Sequence, residues 1–152
     1  MTHQLSVDLL PLDERLALSY ATDQAAGVDL PAMIESPLTL APGERMKIGG
    51  GFKMHIRLGE GQLAAAIVAP RSGLGSRGLV IGNTIGLIDA DYQGEVGLTL
   101  FNSGKEPITI EPGDRIMQMF FIPVLRANFK TVTTFEETTG RGEGGFGSTG
   151  KR

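Results

Sequence analysis

Short stretches in which apolar and polar residues alternate follow one another along the chain, and no helical period is sustained anywhere in it. Alternation of period two puts successive side chains on opposite faces of a sheet, so the pattern predicts strands. They fall at 4–9, 26–30, 38–40, 45–48, 52–56, 63–68, 79–81, 86–88, 95–102, 108–110, 116–124 and 129–132, each bounded by Gly, Pro, Asn or Asp. A polar connection at 11–15 follows the first of them, and only 72–77 and 12–16 read as helical turns. Pro42-Gly43 and Pro112-Gly113 each stand before an acidic residue and an arginine, an echo that predicts two similar hairpins. No linker interrupts the pattern before residue 138. The expected organisation is one β domain over 1–137 and a flexible glycine-rich arm over 138–152.

Composition supports an all-β domain. A chain of 152 residues with 41% hydrophobic content can bury a real core, and 22 glycines with 8 prolines between short apolar runs mean many tight turns. The formal net charge of −3 gives no electrostatic footprint for a nucleic-acid backbone, so no nucleic-acid partner is expected, while a free nucleotide remains open. Cysteine is absent, and His3 and His55 are the two histidines, which excludes thiolate and histidine-rich metal cages and leaves oxygen ligation for any metal. Residues 1–20 mix Asp8, Asp13, Glu14 and Arg15 into the apolar positions, and no run reaches membrane-spanning length. A cytoplasmic protein without a membrane partner is expected.

Two central segments carry candidate chemistry. In Ala69-Pro70-Arg71-Ser72-Gly73-Leu74-Gly75-Ser76-Arg77-Gly78 a strand ends at proline and passes into small residues, whose N–H groups could hold an anion together with Arg71 and the Ser72 hydroxyl. The ordinary alternative is a turn that Ser72 caps. Further on, Gly82-Asn83-Thr84-Ile85-Gly86-Leu87-Ile88-Asp89-Ala90-Asp91-Tyr92-Gln93-Gly94-Glu95 runs a strand into acid, ring and amide groups. A carboxylate there can take a proton from water, Tyr92 can pack on a sugar, and Asn83 can pair with a base edge. An Asp-rich hairpin turn would use the same residues.

The chain's last glycine-dense stretch, Arg141-Gly142-Glu143-Gly144-Gly145-Phe146-Gly147-Ser148-Thr149-Gly150, has no apolar period and cannot build a core. It reads either as a solvated end or as an arm that orders over a nucleotide, since it holds phosphate-contacting groups and one stacking ring.

Five segments in order, Ala25-Ala26-Gly27-Val28-Asp29-Leu30, Pro70-Arg71-Ser72-Gly73-Leu74-Gly75, Gly86-Leu87-Ile88-Asp89-Ala90-Asp91-Tyr92-Gln93-Gly94, Gly113-Asp114-Arg115-Ile116-Met117-Gln118-Met119 and the arm, resemble the five ordered motifs of the homotrimeric dUTP diphosphatases, bacterial and phage members included. The resemblance covers nearly the whole chain. It implies a jelly-roll-like distorted β-barrel, a homotrimer whose active sites draw on all three chains, and Mg²⁺-dependent hydrolysis of dUTP to dUMP and pyrophosphate. Such an activity keeps uracil out of DNA and supplies dUMP for thymidylate synthesis. By this resemblance Asp89 is the general base for a water attacking the α-phosphorus, and Tyr92 lies beneath the deoxyribose, leaving no room for a 2′-hydroxyl. Asn83, with Ile88 and the neighbouring hairpin backbone, reads uracil. Arg71, Ser72, Gly73 and Gln118 hold the phosphate chain, and Asp29 acts on Mg²⁺ through its water shell. Arg141 meets the γ-phosphate, Phe146 covers the base, and Gly147, Ser148 and Thr149 close on the terminal phosphates as a lid.

Departures from that pattern are local. Gly75-Ser76-Arg77-Gly78-Leu79 is a residue shorter than in some bacterial relatives, Gly49-Gly50-Gly51 replaces a Pro-Thr-Gly-like turn, and Gln93 stands where arginine is frequent. A Walker A reading of Gly145–Lys151 fails because Arg152 takes the Ser/Thr position and no helix follows. His55 reads as a strand residue, the methionines as packing, and Arg115 with Asp114 as a buried ion pair near the trimer axis. Two rival functions share the fold: a dCTP deaminase-like enzyme, and a nucleotide-sensing trimer without turnover.

Overall fold

A computed structural model of the chain describes residues 5–145. Ten strands and one short helix follow in order: β1 Ser6–Pro11, β2 Val28–Pro31, β3 Leu38–Leu40, β4 Arg45–Arg57, β5 Ala64–Pro70, α1 Ser72–Ser76, β6 Leu79–Ile81, β7 Gly86–Asp89, β8 Glu95–Asn102, β9 Ile108–Ile110 and β10 Arg115–Pro123. One four-stranded sheet has the order β1-β4-β8-β6 and a second the order β2-β10-β5-β7, with β3 and β9 forming a separate two-stranded ribbon. Every pairing between them is antiparallel. The result is the expected jelly-roll-like all-β fold.

The core follows from the alternation. In β8, Val96, Leu98, Leu100 and Asn102 are buried, and in β4 the inward positions are Phe52, Met54 and Ile56. They meet Leu30, Val68, Ile116, Met117 and Met119 of the second sheet in one apolar cluster. Each fully buried aliphatic or aromatic side chain contributes about 1.5–3 kcal/mol. Met117 and Met119 are packing residues, as the sequence suggested. The buried polar exception is satisfied: Asn102 donates from Nδ2 to the carbonyls of Leu40 (2.9 Å) and Glu106 (2.8 Å) and accepts from Gly104 N–H (2.9 Å).

The two Pro-Gly turns are alike, but they do not make hairpins. Gly43 and Gly113 take φ of +80° and +83°, the value that a turn with proline at its second position requires at its third. Glu44 and Asp114 close them by N–H bonds to Ala41 O (3.0 Å) and Glu111 O (3.1 Å), and each carboxylate accepts the N–H at the turn's first residue. Yet β3 pairs with β9, not β4, and β10 pairs with β2 and β5. Both turns are corners that lead from the shared ribbon into different sheets.

Other expectations need correction. The strands expected at 45–48 and 52–56 are one strand, β4, whose glycines bulge without breaking it. Residues 129–132 form no strand, because Phe129 is 92% exposed and finds no sheet to join within its own chain. At 12–16 a single turn, closed by Leu16 N–H to Asp13 O at 3.1 Å, replaces the helical reading.

Candidate active site

β10 lies between β2 and β5, and this central place gathers one group of site residues. Gln118 stands opposite Asp29 on β2 and Ala69 on β5, and its Nε2 donates to Pro70 O at 2.9 Å. Arg71, just past β5, sets Nε 2.8 Å from Asp29 Oδ1, while Arg115 donates from Nη1 to Asp29 Oδ2 at 3.1 Å. A further bond from Arg71 Nη1 to Arg115 O (3.1 Å) closes the cluster. Two guanidiniums share one carboxylate, so the group carries a net positive charge and suits a phosphate chain. Asp29 and Arg115 border a cleft of about 350 Å³.

The partner of Arg115 differs from expectation. Asp114 uses its carboxylate to close its own turn, so the arginine beside it reaches across to Asp29 instead. Nor does Ser72 cap α1: Arg71 occupies the cap position in extended conformation, and no side chain caps the helix. Ser72 and Gly73 are exposed beside Arg71.

Asp29 also tests the metal expectation. Both of its oxygens already face guanidiniums, and among the described residues no group of three or more His, Asp or Glu side chains could hold a metal ion. Three or more oxygen ligands would be needed for a protein-built Mg²⁺ cage. Action on Mg²⁺ through its water shell, the expectation for Asp29, needs no such cage, and one partly exposed carboxylate held between two arginines is compatible with it.

A second group gathers about the connections that flank β7, which join strands of different sheets and so are corners, not the hairpin the sequence suggested. Asn83, Ile88, Asp89 and Tyr92 line a cavity of about 310 Å³ together with Lys47, Glu95 and Thr99. Ile88 packs on the core while Asp89, one residue on, is exposed, as period two requires. The turn is held by Tyr92 N–H to Asp89 O (3.1 Å) and by the Tyr92 hydroxyl to Glu95 O (2.9 Å). Asn83 donates from Nδ2 to Ile85 O at 3.2 Å, across Thr84, whose φ is +73°. Lys47 and Thr99 escaped the sequence reading, because β4 and β8 bring them to the cavity only through cross-strand register.

The two groups do not meet within one chain. Asp89 stands opposite Ala65 near the start of β5, and Arg71 follows its last residue, Pro70. At about 3.3 Å per residue the separation along β5 is roughly 20 Å. Arg141 lies apart from both, donating from Nε to Gly144 O at 2.8 Å in a local turn. Phe146, Gly147, Ser148 and Thr149 lie outside the described residues. His55 sits on β4 with Nδ1 4.0 Å from Asp8 Oδ2, and the Ser76 hydroxyl donates to Gly73 O, so neither forms a nucleophilic relay.

Fold and site together define an antiparallel β protein of jelly-roll type with a cavity lined by Asn83, Asp89 and Tyr92 and a separate cluster of Arg71, Asp29 and Arg115. The family model described as dUTPase matches residues 14–150. A deoxyuridine 5'-triphosphate nucleotidohydrolase of Xanthomonas oryzae pv. oryzae is 50% identical over 146 residues, covering 95% of this chain and 88% of the relative. One of Sodalis glossinidius is 47% identical over 152 residues, covering 96% and 98%. Among solved structures, a mutant dUTPase of Staphylococcus bacteriophage 80alpha with dUpNHpp aligns with a TM-score of 0.78 at 24% identity, covering 95% of this chain and 98% of that one, a likeness of fold. The chain belongs to the dUTPase family.

Proposed function

We propose that the protein hydrolyses dUTP to dUMP and pyrophosphate. The observation that carries this reading is the convergence of Asp89, Tyr92 and Asn83 on one 310 Å³ cavity in a chain of this family. Asp89 accepts a proton from a water whose oxygen attacks the α-phosphorus. The bond from that phosphorus to the bridging oxygen of the β-phosphate breaks, and pyrophosphate leaves with the electron pair. In-line transfer of this kind needs positioning and charge neutralisation more than covalent chemistry. The Arg71, Arg115 and Gln118 cluster, with Ser72 and Gly73, supplies the grip on phosphate. Tyr92 screens the sugar, and Asn83 with the Ile88 backbone reads the base. Mg²⁺ carried with the triphosphate would add to this charge neutralisation, and Asp29, which anchors the two arginines, would act on it through its water shell.

Asp89 and Arg71 of different chains serve one nucleotide in this reading, and three copies share their sites. The span of β5 between these residues supports it, as do Leu125, Phe129 and Phe135, which are 98%, 92% and 87% exposed beyond β10. Large apolar side chains left bare on one segment mark a contact surface. The arm from residue 138, with Arg141, Phe146, Gly147, Ser148 and Thr149, closes the occupied site.

Pyrophosphate release from dUTP, dCTP, dTTP and UTP with Mg²⁺, with ammonia followed in the same samples, tests the reading. Pyrophosphate from dUTP alone is expected. Ammonia from dCTP would make the protein a deaminase, and saturable dUTP binding without products would make it a sensor.

A further inference from the structure

The pairing of β4 with β8 runs regularly from Arg45↔Phe101 to Gly49↔Gly97 and resumes only at Lys53↔Glu95. An unbroken ladder would have brought residue 51 opposite Glu95, so the strand bulges by two residues just after Gly49, with 50–52 opposite Val96 alone. The bulge takes the buried Gly51 N–H out of the ladder, and Glu95 Oε1 accepts it at 3.1 Å. Side chains are excluded along this stretch. A Cβ on Gly49 would overlap Glu95 Oε1 and lie 2.9 Å from its Cδ, and one on Gly50 would lie 2.6 Å from Val96 O. Gly51 has φ of +76°, and a Cβ there would lie 2.8 Å from Met33 Cγ. Gly49, which leaves room for the carboxylate, and Gly51, whose N–H it accepts, form a socket for Glu95, while Gly50 lets the chain pass close to Val96 O.

Glu95 is also the residue on which the catalytic turn rests. Its carbonyl accepts the Tyr92 hydroxyl at 2.9 Å, and Tyr92 N–H donates to Asp89 O at 3.1 Å. Gly94 lies under the Tyr92 hydroxyl with no room for a Cβ. A continuous path of hydrogen bonds and covalent bonds therefore runs from the β4 bulge through Glu95 to the ring and the base. We infer that Glu95, seated in the Gly49–Gly51 socket, is a positioning residue that fixes Tyr92 against the sugar and Asp89 against the attacking water. This role rests on the dUTP-hydrolysing reading and deepens it: the socket sets how strictly the site prefers a 2′-deoxy sugar.

The test compares kcat/KM for dUTP and UTP in the full-length protein and in Glu95→Ala, Glu95→Gln, Gly49→Ala and the Glu95→Ala/Gly49→Ala double variant. Losing a hydrogen bond to a charged group should lower the dUTP-to-UTP ratio about tenfold in Glu95→Ala, a change that general destabilisation would not produce because it lowers both rates together. The amide oxygen of Glu95→Gln still accepts the Gly51 N–H, so that variant should stay within about twofold of the parent. Gly49→Ala evicts the carboxylate, should match Glu95→Ala, and should add nothing to it in the double variant. An unchanged ratio in Glu95→Ala, or additive losses, would overturn the inference. A parent protein that cleaves neither nucleotide would instead remove the underlying reading, and this role with it.

Discussion

Asp89 and Arg71 stand at opposite ends of β5, the first across from Ala65 and the second just beyond Pro70. A general base must come within hydrogen-bond reach of the attacking water, directly or through one more water, while the arginine must reach the same triphosphate. One chain holds both residues rigidly on a single strand and its neighbour, so it cannot fold them onto one phosphorus. In the proposed reading a second copy supplies the missing half.

Asp89→Asn keeps the shape of the nucleoside pocket and removes the proton acceptor. Turnover of dUTP should fall at least ~10²-fold while the affinity for a non-hydrolysable dUTP analogue stays near that of the parent. Steady-state kinetics paired with calorimetric titration would check this. Lost affinity with unchanged turnover would remove the base assignment.

Asp29 holds Arg71 and Arg115 at 2.8 and 3.1 Å. Asp29→Asn weakens two charge-assisted contacts, each worth up to about 1 kcal/mol at this exposure, and frees the guanidiniums to repel each other. The KM for dUTP should rise about tenfold or more, with the smaller effect on kcat. If kcat collapses while KM holds, Asp29 acts on the chemical step and not on the grip.

Asn102 is fully buried, and all three of its side-chain bonds go to backbone. Asn102→Ala strands the carbonyls of Leu40 and Glu106 and the N–H of Gly104, at a cost of about 3 kcal/mol. Urea unfolding at one fixed protein concentration should show a clearly lower midpoint.

The Arg15 guanidinium beside Asp13 holds that carboxyl at about 2, below its usual 3.8, chiefly through a side-chain hydrogen bond and then a backbone bond from Arg15. A depressed folded pKa makes the carboxylate stabilising above 3.8, with that contribution lost as pH falls towards 2. Carbon-detected NMR titration should find the Asp13 midpoint near 2 in the parent and back towards 3.8 in Arg15→Ala.

Strands with strict alternation were legible in the sequence: 95–102 coincides with β8, and 38–40, 79–81 and 108–110 with β3, β6 and β9. The unity of β4 was hidden, because three glycines carry no side-chain period and look like a break. Residues 129–132 misled for a different reason: Phe129, Thr131 and Val132 are residue types that strands favour, yet Phe129 and Val132 lie exposed. Asn83, Ile88, Asp89 and Tyr92 could be read together because they fall within ten consecutive positions. The pairing of Arg115 with Asp29 spans 86 positions, so local sequence pointed to neighbouring Asp114. Lys47 and Thr99 gave no signal, since only the β4–β8 register, in which they face each other, brings them to the cavity.

The most direct measurement mixes two inactive chains. Asp89→Asn and Arg71→Ala are each assayed alone, then unfolded together in equal amounts, refolded and assayed with dUTP. With Asp89 and Arg71 drawn from different copies, random assembly makes about a quarter of the sites whole, and activity should return to about that fraction of the parent's. Activity that stays at the level of the separate variants would place both residues of a site in one chain and contradict the account.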